Sequence, residues 1–104
     1  MSGGAFDYKQ YHIREIADAI QDELDRQGKE KSEDDLWMND EYYKKNPEEM
    51  YWSYYPELVQ NKFKEAIRYL HIAEVYAQRV DWFLSGDDGE KSFIERLEKD
   101  LDKY

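Results

Sequence analysis

Two histidines each stand three residues before a glutamate, in His12-Ile-Arg-Glu15 and His71-Ile-Ala-Glu74. On a helix that spacing puts an imidazole and a carboxylate on one face, where they could be presented together to a metal ion. Helical di-iron sites use the opposite order, Glu-x-x-His, and need further inward carboxylates. Each pair here also falls one position off the apolar stripe of its segment, so both read as exposed polar residues, and neither a metal nor another cofactor is expected. Asp87-Asp88-Gly89-Glu90 is acidic enough for a calcium loop but lacks the alternating ligands and the twelfth-position Glu. Helix capping explains it better. The five serines lie in no G-x-S-x-G setting, and neither Walker A nor dinucleotide-binding glycine spacing occurs. Without cysteine there are no disulfides, thiolate nucleophiles or thiolate metal sites. Carboxylate pairs for glycoside hydrolysis could be drawn from so many acids that the choice means nothing. The residues predict a protein that is not an enzyme.

Two constellations point to binding instead. Between Lys29 and Tyr55, acidic clusters alternate with seven aromatic rings. Asp34, Asp35, Trp37, Asp40, Glu41, Tyr42, Tyr43 and Trp52 are the candidate partner-binding residues, because Tyr and Trp anchor in apolar pockets while carboxylates seek a basic surface. The competing reading is that the rings seal the ends of a small bundle and the acids are merely solvated. The second constellation is Arg68, Tyr69, His71, Tyr76 and Arg79, with Lys62 and Trp82 nearby. Stacking rings beside guanidinium groups could hold a nucleotide or cyclic oligonucleotide, particularly between subunits of an oligomer. Its plain alternative is a set of solvent-facing cations balancing neighbouring glutamates.

Charge narrows the partners. Twenty-five acidic against 15 basic side chains leave a formal net charge of −10, which repels nucleic-acid phosphates and anionic lipid. No direct nucleic-acid binding is expected, and a solubilising role for the charge stays open beside a functional one. No run approaches the ~20 apolar residues of a membrane span, and Met1-Ser-Gly-Gly-Ala-Phe-Asp lacks the basic and apolar regions of a signal peptide; no membrane association is expected, and the cytoplasm is the expected location. The 38% charged content and mean hydropathy of −1.10 would suit a disordered chain, but ten Tyr, three Trp and four Phe supply enough apolar area for a core.

The elements that must position these residues are helices. Ile13, Ala17, Ile20 and Leu24 step by four, three and four, with Ile16 beside them, predicting a helix over about 8–27 with Asp7 as N-cap and Gly28 as a left-handed C-terminal cap. Ser32 before three acids can cap a short turn, and Asn46-Pro47-Glu48-Glu49 starts another, predicting a short helix at 47–54 within a structured connector. After Pro56, residues Val59, Phe63, Ala66, Leu70, Ala73, Ala77, Val80 and Leu84 alternate steps of four and three, predicting one helix over 56–85, about 45 Å long. A second stripe of Tyr69, Ile72, Tyr76 and Phe83 lies beside the first, so this helix can meet two neighbours at once. Gly86 as a left-handed cap and Asp87 with Glu90 at capping-box spacing then lead into a helix over 89–102 carrying Phe93, Ile94, Leu97 and Leu101. The expected fold is all-α: a single domain over 1–104, a three-helix bundle organised on one long central helix with the acidic aromatic connector across it.

The opening Gly3-Gly4-Ala5-Phe6-Asp7-Tyr8 and the run Arg79-Val80-Asp81-Trp82-Phe83-Leu84-Ser85-Gly86-Asp87-Asp88-Gly89-Glu90, followed by Ser92-Phe93, resemble small proteins of unassigned function carried by bacteriophages and other mobile elements. The resemblance covers the two ends, about a third of the chain, and brings no catalytic or binding motif. What it implies is context: small acidic phage accessory proteins often inhibit host systems, by imitating nucleic-acid charge or by sequestering a nucleotide signal. Three expectations follow: an inhibitor engaging a basic surface of a host protein, an oligomer that sequesters a nucleotide or cyclic oligonucleotide, or an assembly module whose long stripe drives self-association.

Overall fold

The computed structural model describes residues 5–104, and within them the chain is helical. Helix α1 spans Tyr11–Asp25, α2 Asp40–Lys45, α3 Glu57–Leu84 and α4 Glu90–Leu101, with single 3-10 turns at Glu33–Asp35 and Pro47–Met50. Helix α3, 28 residues long, is the axis. α1 and α4 both pack against it and not against each other. The Cα trace extends 65 × 27 × 13 Å, so the helices lie side by side in one layer and do not close around a shared centre. The radius of gyration is 20.1 Å, against about 13 Å for a compact chain of this length.

Local chemistry explains where the elements begin and end. Pro56 precedes α3 with φ −55°, the angle its ring imposes and one already suited to a helix start. Gly86, with φ +83°, takes the left-handed conformation that ends α3 without the steric cost a Cβ would add. Gly28 does the same beyond α1 at φ +75°, and its amide donates to the Trp52 carbonyl at 2.7 Å. α2 begins at Asn39, whose side chain accepts from the Tyr42 amide at 2.9 Å, a cap the sequence reading passed over.

Three expectations about caps and bounds are corrected. Asp7 does not cap α1: it and Tyr8 have positive φ, 53° and 62°, in a turn that runs to Gln10, and the helix begins only at Tyr11. Asp87 and Glu90 do not form a capping box, because α4 starts after Gly89 and the neighbouring Asp88 turns inward to Arg96 and Arg79. The short helix placed at 47–54 shrinks to the turn Pro47–Met50, since Tyr51 turns extended and pairs with Glu30 in an antiparallel bridge.

Few apolar side chains are withdrawn from water. Among the described residues only Ala17 and Tyr43 are buried, while Gln10, Glu74, Asp81 and Asp88 are buried polar groups. The contacts between helices are correspondingly polar. Arg14 of α1 meets Glu74 of α3 at 2.7 Å, and Arg79 of α3 meets Asp100 of α4 at 2.7 Å. Phe83 and Phe93 supply a ring contact at 5.0 Å between α3 and α4.

Candidate functional site

The connector between α1 and α3 is a lobe held shut at its neck. The Trp52 amide donates to the Lys29 carbonyl at 2.9 Å and the Lys31 amide to the Met50 carbonyl at 2.7 Å. The side chain of Gln27 accepts from the Tyr55 amide at 2.7 Å, and the Tyr55 hydroxyl donates to Glu23 at 2.7 Å. That hydrogen bond, assisted by Arg26, holds the Glu23 carboxyl below its ordinary range, and the same bond raises the Tyr55 phenol. These bonds fix where the lobe leaves the helical layer and where it returns.

Inside the lobe the rings divide by role. Tyr43 is buried, and its hydroxyl accepts from the Trp37 and Met38 amides at 3.2 and 3.3 Å, so a buried ring pins the backbone segment that carries Trp37. Tyr42 packs edge-on to Tyr43 at 5.4 Å, and hydrogen bonding to Glu49 raises its phenol. Trp52 is half-buried, with the Arg26 guanidinium 3.9 Å from the ring centroid and the Lys31 ammonium at 5.1 Å. Trp37, Tyr54 and Tyr51 face outward, 80%, 71% and 47% exposed. They line an open groove of about 720 Å³ with Tyr43, Trp52, Lys31, Glu48 and Glu49.

Of the eight residues predicted to bind a partner, Asp34, Asp35, Asp40, Glu41 and Trp37 are exposed on this lobe. Tyr43 and Trp52 build its groove, and Tyr42 supports Tyr43. Tyr51 and Tyr54 were missed as site residues, although both stand in the aromatic run before Pro56; nothing in their spacing told outward rings from inward ones.

The residues predicted to hold a nucleotide are gathered only in part: Arg68 and His71 both meet Tyr104, which lines the cleft of Arg79, whereas Tyr76 faces elsewhere. Arg68 donates to the Tyr104 carbonyl at 2.8 Å, His71 stacks on the Tyr104 ring at 5.9 Å, and Tyr69 is exposed. Tyr76 lines a different groove with Phe6 and Ile13. Lys62 pairs with Glu65 at 3.1 Å. Only Arg79 enters a cleft that has both cations and rings, about 260 Å³ in volume, between α1 and α4 across α3. Tyr11, Arg14, Trp82, Lys103 and Tyr104 complete its charged and aromatic lining, with Glu74 and Asp100 among them.

No family model, curated protein or solved structure matches this chain.

The described residues therefore speak through geometry. They contain no group of three or more His, Cys, Asp or Glu side chains able to hold a metal ion; Glu74 is engaged by Arg14, with His71 at 4.0 Å. No helix among them is long and apolar enough to cross a membrane. The two end segments singled out by resemblance do meet: the Ala5 amide donates to Asp81 at 3.0 Å, and Gln10 donates to the other carboxylate oxygen at 3.1 Å. Gly3 and Gly4 of the first segment lie outside the described residues. An acid seven positions beyond Glu74, set between Val80 and Trp82, was the available signal for this buried contact.

Proposed function

We propose that this is a non-catalytic interaction protein whose connector lobe grips a basic segment of a partner protein. The observation that carries the reading is the exposed aromatic array of Trp37, Tyr51 and Tyr54 around a groove whose floor and neck are tied by hydrogen bonds. Exposed rings of this size cost solvation unless they meet something, and a backbone fixed before binding loses little entropy on contact. Residues 29–55 carry eight carboxylates against four lysines, so the partner's complementary charge is positive. A lysine or arginine side chain entering the groove would find ring faces for its stem and cation, and Glu48 and Glu49 for its charge. The resemblance of the chain ends to phage and mobile-element proteins supports placing the partner in a bacterial host, with this protein its inhibitor in the host cytoplasm.

The test is a binding titration of lysine- and arginine-rich peptides followed by indole fluorescence. Affinity should weaken as the screening length falls from about 10 Å at 0.1 M salt to about 3 Å at 1 M. Trp37→Ala should abolish binding, and joint neutralisation of Asp34, Asp35, Asp40 and Glu41 should weaken it and flatten the salt dependence. Binding that is unchanged by both salt and these variants would refute the reading.

One observation favours a second reading. In a chain of net charge −10, the α1–α3–α4 cleft collects Arg14, Arg79 and Lys103 beside Tyr11, Trp82 and Tyr104, with the Arg79 guanidinium 4.7 Å from the Trp82 centroid. Such a cleft suits the base and phosphate of a nucleotide, which would compete with Glu74 and Asp100 for the cations. A thermal-shift screen of nucleotides and cyclic oligonucleotides decides, because a ligand at 100 times its Kd stabilises the fold by about 2.7 kcal/mol. No shift across the panel removes this reading.

A further inference from the structure

We propose that the open apolar face shared by α3 and α1 is covered by the same face of a second copy of this chain. α1 and α4 leave one broad side of α3 uncovered. Along it Val59, Tyr69, Ala73, Tyr76 and Leu84 are exposed. The face continues onto α1 through Ile16, which is 53% exposed. Between the two helices an open groove of about 700 Å³ is lined by Phe6, Ile13, Ala73, Tyr76, Ala77 and Val80.

Three quantities identify the occupant. Domains are built from two packed layers of secondary structure, and a Cα thickness of 13 Å is a single layer, so a second layer must come from outside the chain. A compact chain of 12.7 kDa exposes about 6,200 Å². This one exposes 7900 Å²; the excess of about 1,700 Å² is shared by the helical layer and the connector lobe and exceeds the ~800 Å² that each partner gives to a standard interface. Charge then permits a like partner at this face. Copies of net charge −10 repel wherever carboxylates face, whereas this groove carries only Lys9 and Asp7, which cancel. This face, which draws Val59, Ala73 and Leu84 from one stripe of α3 and Tyr69 and Tyr76 from the other, would meet its own copy about a two-fold axis. Its alanines at 66, 73 and 77 let the two α3 helices approach closely.

The experiment is light-scattering mass together with thermal unfolding over a wide range of protein concentration. The wild-type chain should have a mass of at least twice 12.7 kDa and a midpoint that rises with concentration, as expected when folding and association are coupled. Ala73 is exposed in the single chain, so Ala73→Arg has room in a monomer and conflicts only across the interface. Its mass should fall to one chain, or its midpoint should drop and the concentration dependence vanish. Trp37→Ala, on the connector, should leave mass and concentration dependence unchanged. A wild-type mass of one chain at high micromolar concentration with a fixed midpoint overturns the proposal, as does an oligomer that Trp37→Ala dissociates and Ala73→Arg does not. Because Trp37 is required for peptide binding and Ala73 for pairing, the two claims fail separately.

Discussion

Asp81 is fully buried on α3 and accepts hydrogen bonds from the Ala5 amide and the Gln10 side chain. Gln10 also donates to Gln78 at 2.9 Å, so one carboxylate fastens the segment before α1 to the far end of α3. Asp81→Asn replaces one acceptor oxygen with a donor that must face another donor. The expected cost is about 2 kcal/mol, measured by denaturant unfolding, with faster amide exchange over residues 5–10. Glu23 makes a second residue-scale prediction. Its folded pKa is lowered chiefly by the Tyr55 hydroxyl and then by Arg26, so its contribution to stability is complete above the unfolded carboxylate value and is lost as pH falls through the lower folded one. Tyr55 behaves in the opposite sense: its phenol is raised by Glu23, and its contribution holds below the unfolded phenol value and is lost as pH rises through the folded one. In Tyr55→Phe the Glu23 titration, followed by carboxyl NMR, should move upward toward an ordinary glutamate. If it stays depressed, Arg26 and not Tyr55 sets it.

At the scale of elements, Tyr43 holds the backbone segment that presents Trp37. Tyr43→Phe removes the acceptor of two backbone amides and should cost about 1 kcal/mol. It should also lower the fluorescence anisotropy of the connector indoles, while the α-helical circular dichroism changes little. The long helix, the first helix and the last were legible from the sequence because each carries an uninterrupted helical period, and Pro56 and Gly86 mark the ends of α3 by their backbone preferences alone. The caps were legible only in part. Asp7 has the right residue type, yet a turn through Asp7 and Tyr8 delays α1 so that Gln10 can reach Asp81. Asp88 likewise serves Arg96 and Arg79. Those contacts span 8 to 71 residues, and no local pattern encodes them. In the connector, composition marked an acidic aromatic segment, but inward Tyr43 and outward Trp37, Tyr51 and Tyr54 differ only in tertiary setting. The basic and aromatic residues of α3 were grouped by proximity in sequence, whereas the helix turns Tyr76 and Arg79 into different grooves.

At the scale of the whole molecule, two electrostatic effects have opposite signs. A chain of net charge −10 repels itself when folded, so added salt should raise the thermal midpoint of the free protein. The same salt should weaken capture of a basic partner by the lobe. If both rise, attraction to a basic segment does not drive binding. The flat, 65 Å long form also separates the two proposed surfaces in space: the helical layer offers its apolar face, and the lobe stands beyond the end of α1 with its groove open. The measurement that tests the central claim most directly is an amide NMR titration of the protein with an arginine- and lysine-rich peptide at low salt. The account predicts shifts concentrated on Trp37, Glu48, Glu49, Tyr51 and Tyr54, disappearing in Trp37→Ala. Shifts confined to α1, α3 and α4, or none at all with any basic peptide, would contradict it.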